Sequence, residues 1–139
     1  MWAFLLLLFA VYAYVGRPRP SAVAWEANPA AAMTLARESG RPVLLKFEAA
    51  WCGVCERMDR EVFSDARVGE ALKGWVTVRV DADREQDLVD QHDVEGLPTF
   101  VALAPDGRVI GRQVGGMSVD EFIAFVRNVA PAATTQPRP

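Results

Sequence analysis

Two cysteines, Cys52 and Cys55, dominate the interpretation of this sequence, because they are the only two among its 139 residues. An apolar run at 43–47 precedes them and has the length and composition of a buried strand. A charged, helix-compatible segment follows at 56–62. A strand that leads into Cys-x-x-Cys at the start of a helix is an arrangement used for dithiol redox chemistry. The sequence therefore predicts exchange of thiols and disulfides.

The spacing of the two cysteines predicts a different role for each. Residues three apart in a helix are neighbours on one turn, so the sulfur atoms can form a disulfide with little backbone movement. Cys52 would lie at the helix N-terminus, where free N–H groups and the helix dipole favour a thiolate. We therefore expect Cys52 to be the nucleophile and Cys55, closer to the core, to be the resolving thiol. A redox-active disulfide between them needs no further cofactor.

Other interpretations of the cysteine pair stay open at this point. One is a structural disulfide, although a bridge that closes so short a loop removes little chain entropy. Another is a metal site, although structural zinc needs four ligands and the chain adds only His92 and carboxylates to its two cysteines. The corresponding alternative function is a non-catalytic binding module with vestigial or metal-bound cysteines.

Residues 1–24 are interpreted as a targeting segment followed by an Arg- and Pro-containing linker. Trp2–Val15 is a run of fourteen apolar residues, which is shorter than the roughly 17–25 residues of a spanning helix and suits a signal peptide. Ala-Val-Ala at 22–24 offers a cleavage site, whereas Arg17 and Arg19 disfavour transfer of that flank across a membrane. We expect an exported domain in the periplasm, cleaved or membrane-anchored, with a cytoplasm-facing anchor as the alternative.

Length and charge limit the rest of the chain to one ordinary domain. Residues 25–130 are sufficient for a single domain, which we expect to be monomeric, and 131–139 are polar and Pro-rich, which predicts a disordered tail. The formal net charge is −3 and no cluster of Lys and Arg occurs. Nucleic-acid binding is therefore not expected.

The pattern of caps, turns and apolar residues predicts an α/β domain. Helices are predicted between an Asn28 cap and Gly40, after the cysteine pair, at 65–72 with Ser64 as the cap, at 84–92, and from a capping box at 118–121 to Val129. Strands are predicted at 43–48, 75–80, 99–104 and 108–114, the last two forming an antiparallel hairpin. This order indicates a central mixed sheet, with a parallel core and an antiparallel C-terminal hairpin, flanked by helices.

Four short stretches of the chain carry a resemblance to a known family. They are Gly-Arg-Pro-Val-Leu-Leu at 40–45, Trp-Cys-Gly-Val-Cys at 51–55, Glu-Val-Phe-Ser-Asp at 61–65 and Gly-Leu-Pro-Thr at 96–99. With them, the chain resembles the thioredoxin superfamily from residue 25 to residue 129. Within that superfamily it is most similar to the C-terminal periplasmic domain of the DsbD type of membrane thiol–disulfide interchange reductase. The resemblance implies a thioredoxin fold and a protein-disulfide oxidoreductase.

The resemblance also implies roles for residues around the cysteines. Pro98 would have a cis peptide bond facing the pair, although on the residues alone it could equally be a trans loop proline, and Leu97 would present backbone groups to a bound partner strand. Trp51, Gly53 and Val54 would contact the same partner, with simple packing as the alternative for Trp51. Partners would be protein thiols and disulfides, with electrons from an upstream dithiol such as a membrane reductase. The resemblance favours the reducing direction.

Two charged residues mark where the chain departs from thioredoxins. Lys46 stands where thioredoxins have a buried Asp, and Asp59 stands where DsbD-type domains have an acid. Asp59 lies one turn beyond Cys55 on the predicted helix. One hypothesis is that Lys46 and Asp59 pair beneath the cysteines and that Asp59 accepts the proton of Cys55 during exchange. The alternative is that Lys46 extends to solvent and Asp59 lies on a solvated helix face.

The remaining polar candidates have simpler interpretations. Glu56 and Arg60 are spaced to pair on a solvated helix face. Asp81 and Asp83 resemble a metal pair, but a strand end that turns into a capped helix explains them equally well. His92 lies near a predicted helix C-terminus, where its cation is favoured.

Overall fold

The fold is seen in a computed structural model, which describes residues 1–17 and 19–134 apart from the side chain of Thr134. The helices in this part of the chain are α1 (Trp2–Val15), α2 (Pro29–Ser39), α3 (Gly53–Glu61), α4 (Ala66–Ala71), α5 (Gln86–Gln91) and α6 (Val119–Thr134). The strands are β1 (Trp25–Glu26), β2 (Val43–Glu48), β3 (Val76–Asp81), β4 (Thr99–Leu103) and β5 (Val109–Val114).

The strands form one mixed sheet in the order β1-β3-β2-β4-β5. β1, β3 and β2 run parallel, whereas β4 is antiparallel to both β2 and β5. The predicted parallel core and antiparallel C-terminal hairpin are therefore confirmed. β1 was not predicted, because a strand of two residues is too short to show an alternating pattern.

Helices cover both faces of the sheet, because successive strand side chains point to opposite faces. Leu44 and Phe100 pack in a core with residues from α3, α4 and α6. Leu45 and Val101 pack in a second core with residues from α2 and α5. The helix that follows the cysteines, α3, therefore shares its face of the sheet with α6.

The predicted caps of α2 and α6 are confirmed. Asn28 Oδ1 accepts a hydrogen bond from the N–H of Ala31 at 3.0 Å, and Gly40 ends α2 with a φ of 67°, a conformation that glycine adopts readily. Ser118 and Glu121 form the capping box, in which Glu121 Oε2 accepts from the Ser118 N–H at 2.7 Å.

Two local predictions are wrong. Asp65, and not Ser64, caps α4: its Oδ1 accepts from the N–H of Arg67 at 2.8 Å, while Ser64 Oγ donates to the carbonyl of Arg60 at 2.6 Å. The disordered tail was predicted from residue 131, yet α6 contains Pro131 and continues to Thr134. A single proline removes one helical hydrogen bond, and the neighbouring alanines favour helix. The rest of that tail, 135–139, lies outside the described residues.

The N-terminal segment divides into an exposed helix and a short non-helical stretch that packs on the domain. None of the side chains of α1 is buried, and no helix among the described residues is long and apolar enough to cross a membrane. The domain begins at Ala22, before the predicted boundary at residue 25: the Ala22 N–H donates to the carbonyl of Phe63 at 2.7 Å, and Val23 is buried. The Ala24 carbonyl accepts from Thr77 Oγ1 at 2.5 Å. The predicted cleavage site is thus part of the folded domain.

We expect Gly69→Ala to lower the free energy of unfolding by about 1–3 kcal/mol. A Cβ at position 69 would lie 2.5 Å from the carbonyl oxygen of Ala22. Without this contact, Gly→Ala inside a helix would raise the free energy of unfolding by about 1 kcal/mol. The sign of the change therefore reports whether the N-terminal segment packs against α4. Denaturant unfolding measures it, with Glu70→Ala on the same helix as the control; a stabilising Gly69→Ala contradicts the contact.

Candidate active site

Cys52 and Cys55 are joined by a disulfide at the start of α3, with their Cα atoms 5.3 Å apart. Cys52 is the N-cap of the helix, and its Sγ accepts a hydrogen bond from the backbone N–H of Cys55 at 3.2 Å. Both side chains are buried. Because the first N–H groups of a helix stabilise negative charge, this geometry favours a thiolate at Cys52 once the disulfide is reduced.

The disulfide lies at the edge of the sheet where β2 ends and β4 begins. β4 is antiparallel to β2 and places Thr99 opposite Phe47. Pro98, which directly precedes Thr99, is therefore at the same edge as the cysteine loop. The Leu97–Pro98 peptide bond is cis, which confirms that prediction, whereas an orientation of Pro98 towards the cysteines stays a prediction.

Partly exposed residues form a rim around the disulfide. Trp51 is 70% exposed, and its Nε1–H donates to Asp83 Oδ2 at 3.0 Å, so simple packing does not account for its position. Gly53 is exposed and Val54 is half-buried. In the loop after β5, Gly116 approaches Val54 so closely that a Cβ at 116 would lie 2.8 Å from Val54 Cγ1. The rim exposes apolar surface and backbone beside the disulfide.

Four charged side chains, Lys46, Glu48, Asp59 and Arg79, form a charge cluster between the sheet and α3. Lys46 is 0% exposed, and its Nζ contacts both Asp59 Oδ1, at 2.6 Å, and Glu48 Oε2. Arg79 Nη1 lies 3.0 Å from Glu48 Oε1 and 3.1 Å from Asp59 Oδ2. The hypothesis that Lys46 and Asp59 pair is confirmed. The alternative is wrong for Lys46, whose ammonium group is enclosed with its carboxylate partners and does not reach solvent, whereas the side chain of Asp59 is 32% exposed and keeps some contact with solvent.

The register of the strands explains why the charge cluster contains two carboxylates. Lys46 and Arg79 are register partners on β2 and β3, so two cations lie side by side on one face of the sheet. Like charges in neighbouring positions repel, and a buried charge needs a partner. Glu48 and Asp59 each contact both cations, which compensates the two positive charges.

Two aromatic rings also contact the cations of the charge cluster. Lys46 Nζ is 4.9 Å from the ring centre of Phe63 and 5.5 Å from that of Trp25, and Arg79 Cζ is 5.2 Å from that of Trp25. Burial alone would lower the pKa of Arg79, but its hydrogen bond with Asp59 and the neighbouring carboxylate charges outweigh burial and raise that pKa above its ordinary value. Arg79 is therefore a permanent cation of the cluster.

A cavity of about 320 Å³ connects the charge cluster with the disulfide. Its lining includes both cysteines, the two carboxylates of the cluster, Glu56 and Asp81. A polar cavity of this size has room for water molecules. The two cysteines and the two carboxylates of the cluster therefore face one space that water can enter.

The remaining acidic residues have the structural roles that the sequence suggested. Glu56 Oε1 and Arg60 Nη1 form an exposed ion pair at 2.6 Å. Asp81 Oδ1 accepts a hydrogen bond from the N–H of Asp83 at 3.0 Å, where β3 turns towards α5. Over the described residues, no group of His, Cys, Asp and Glu is arranged to hold a metal ion.

His92 lies on the face of the sheet opposite the charge cluster. Its ring centre is 5.8 Å from that of Phe47, and adjacent residues of a strand, such as Lys46 and Phe47, point to opposite faces. Burial lowers the pKa of His92, the positive charge of Arg112 lowers it further, and Asp93 opposes this only in part. The expectation that the helix end favours its cation is therefore wrong.

Sequence reasoning missed Glu48 and Arg79 as members of the site. Arg79 alternates with valines in β3, a pattern typical of an outward-facing strand position, and Glu48 lies at a strand end. The available signal was Lys46, because a cation in a buried strand requires carboxylates on its own face. Glu48, two residues further along the strand, shares that face.

Comparison with known proteins places these features in a family. The family model described as "Thioredoxin-like domain" matches residues 29–130. The "Thioredoxin H-type" protein of Oryza sativa subsp. indica is 33% identical over 105 residues, which cover 76% of this chain and 83% of that protein. The "Thiol:disulfide interchange protein DsbD" of Ralstonia nicotianae is 34% identical over 111 residues, which cover 76% of this chain and only 18% of that protein.

Solved structures show the same likeness. A thioredoxin from Thermus thermophilus superposes with a TM-score of 0.73 at 31% identity, covering 81% of this chain and 91% of that one. The C-terminal domain of Neisseria meningitidis DsbD, in its oxidised form, superposes with a TM-score of 0.62 at 25% identity, covering 76% of this chain and 98% of that one. The resemblance and the fold class predicted from the sequence are confirmed.

We expect Lys46→Met to lower the free energy of unfolding by about 3 kcal/mol or more, because it leaves two carboxylates of the charge cluster with one cation. Arg60→Met is the matched control: it breaks an exposed pair and is expected to cost less than about 1 kcal/mol. Denaturant unfolding at neutral pH compares the two variants. Equal losses would contradict the importance of the cluster for stability.

We expect His92 to make the domain less stable in mild acid. Its pKa is lower in the folded than in the unfolded chain, so the unfolded chain binds the proton first and stability falls as the pH drops below about 6.5. Above that pH the contribution is constant. Urea unfolding between about pH 7 and about pH 5 should show a smaller loss for His92→Gln than for the wild type; identical pH profiles would rule this out.

Proposed function

The chain belongs to the family of thioredoxin-like domains and is a thiol–disulfide oxidoreductase, and we propose that it reduces disulfides of protein partners. The observation that carries thiol–disulfide exchange is the position of Cys52 at the N-terminus of α3, with the N–H of Cys55 hydrogen-bonded to its sulfur. This arrangement stabilises the thiolate that attacks a partner. The similarity to DsbD supports the reducing direction.

The reaction has two displacement steps. The thiolate of Cys52 attacks one sulfur of the partner disulfide, which forms a mixed disulfide and releases the other partner sulfur as a thiolate. Cys55 then gives up its proton, and its thiolate attacks the sulfur of Cys52. The Cys52–Cys55 bond forms, the bond to the partner breaks, and the second partner thiolate leaves. Two electrons have passed to the partner, whose thiolates take up protons.

The partner is proposed to bind along the rim of the disulfide. Pro98 and the backbone of Leu97 would hold an extended segment of the partner at the sheet edge where β4 begins. Trp51, Gly53 and Val54 would contact that segment from the side of the cysteines. Trp51 and Gly53 are exposed, Val54 and Leu97 are half-buried, and Pro98 is buried. The exposed ring of Trp51 and the exposed backbone of Gly53 support this role.

Asp59 is proposed to accept the proton of Cys55 during the second step. Both residues line the same cavity, and they are one turn apart on α3. Lys46 would hold the carboxylate of Asp59 in position through the ion pair between them. No cofactor beyond the Cys52–Cys55 disulfide is required by this mechanism.

We place the domain in the cell envelope. The exposed apolar side chains of α1 support a role for this helix in export or in attachment to a membrane, with Arg17 and Arg19 at its end. The similarity to DsbD supports the periplasmic side and an upstream membrane dithiol as the electron source. The domain is proposed to act as a monomer.

Redox titration of the chain in dithiol buffers, followed by alkylation of free thiols, tests the proposed function. A reductase should show a two-electron transition near the thioredoxin value of about −270 mV, whereas a value near about −120 mV would make it an oxidant. Cys55→Ala should trap a partner on Cys52, and Cys52→Ala should trap none. Absence of a transition would overturn the enzymatic function and leave a binding module.

A further inference from the structure

We propose that Glu48 is a positioning residue that supplies the counter-charge for proton transfer from Cys55 to Asp59. The proposal deepens the proposed function and rests on it, because it concerns the second displacement step. Glu48 does not take the proton itself. Its role is to keep the charge cluster compensated while Asp59 is neutral.

The contacts of the charge cluster show how one carboxylate can replace the other. Lys46 Nζ touches Asp59 Oδ1 at 2.6 Å and also Glu48 Oε2. Arg79 Nη1 lies 3.0 Å from Glu48 Oε1 and 3.1 Å from Asp59 Oδ2. When Asp59 loses its charge, both cations therefore still contact an ionised carboxylate without any rearrangement.

The net charge of the cluster shows how loss of Glu48 would act on proton transfer to Asp59. The fully ionised cluster has two cations and two carboxylates and is neutral, and it gains one positive charge when Asp59 takes a proton. Without Glu48, the same proton transfer would leave both cations without a carboxylate partner in the cluster, which is most unfavourable for Lys46, since it is fully buried while Arg79 is 33% exposed. Asp59 would then retain its negative charge, and Cys55 would lose its proton acceptor.

In the step itself, the proton leaves the Cys55 Sγ and binds the Asp59 carboxylate. The Cys55 thiolate attacks Cys52 Sγ, the bond between the cysteines forms, and the electron pair of the Cys52–partner bond leaves with the partner sulfur. The positive charge gained by the cluster borders the same cavity as the thiolate that forms, and the two opposite charges attract each other.

Other titratable groups near the proton acceptor are few and provide a control. Besides the charge cluster, the shared cavity is lined by Cys52 and Cys55 from the start of α3, Glu56 from α3 and Asp81 from β3. Glu56 differs from Glu48 in two respects: it is paired with Arg60 and not with a cation of the cluster, and its side chain is 71% exposed. Glu56→Gln therefore removes a carboxylate from the cavity without changing the charge cluster.

The experiment follows the reduced full-length chain as it reacts with an excess of dithiobis(nitrobenzoic acid). Attack by Cys52 releases one coloured thiolate, and attack by Cys55 on the resulting mixed disulfide releases a second. The second phase is intramolecular, so its rate does not depend on the concentration of the reagent. Its pH profile reports the proton transfer from Cys55.

We expect Glu48→Gln to slow the second phase about threefold to tenfold near neutral pH, because general-base assistance is weakened. The difference from wild type should disappear towards about pH 9, where hydroxide removes the thiol proton. Glu56→Gln should match the wild type. Adding Glu48→Gln to Lys46→Met removes the carboxylate that would pair with Arg79 once Asp59 is protonated. This double variant should therefore have a slower second phase at neutral pH than Lys46→Met alone.

Three results would overturn the proposal: a Glu48→Gln profile equal to wild type, a deficit of the same size at every pH, or an equal deficit in Glu56→Gln. If Glu48→Gln does not fold, the comparison is made between Lys46→Met and the double variant, where loss of Glu48 must again slow the second phase at neutral pH. If the wild-type chain shows no second phase, the proposed function is contradicted together with this inference. If both the wild type and Glu48→Gln show a normal second phase, only this inference is contradicted.

Discussion

The ion pair between Lys46 and Asp59 fixes the helix of the cysteines to the centre of the sheet. A lysine with no exposed surface is tolerated only with a carboxylate at contact distance. Asp59 meets that requirement from α3, and Arg79 joins the same carboxylate from β3. One set of charges thus connects β2, β3 and the helix that presents the disulfide. Together with the packing of Met58 and Val62 in the core, this contact sets the position of the two sulfur atoms relative to the sheet.

The residues of this ion pair matter both for the proposed proton transfer and for the stability of the fold. Thiol exchange requires a group that can take a proton at the buried cysteine, and stability requires that buried charges be compensated. In the mechanism proposed above, the charge cluster meets both requirements, because each of its carboxylates contacts both cations. The N-terminus of α3 acts separately, on Cys52, through a backbone hydrogen bond. The two cysteines are therefore influenced by different sources of charge.

Local signals in the sequence were sufficient for most of the fold and for the cysteine pair. Asn28, Gly40 and the capping box before α6 act through neighbours in the chain, so their effects are visible in the sequence. Arg79 and Glu48 join the site through strand register, which pairs residues far apart in sequence. The cap of α4 was misassigned because Ser64 and Asp65 are adjacent and equally suitable. β1 depends on pairing with β3 and has no periodicity of its own.

The early start of the packed domain limits how far the disulfide can travel. α1 ends at Val15 and the Ala22 N–H is already bonded within the domain, so only residues 16–21 lie between them. Six residues span at most about 20 Å. If α1 is held at a membrane, the short tether confines the domain to the region near the membrane surface. Its effective concentration is then high for partners close to that surface and close to zero for distant ones.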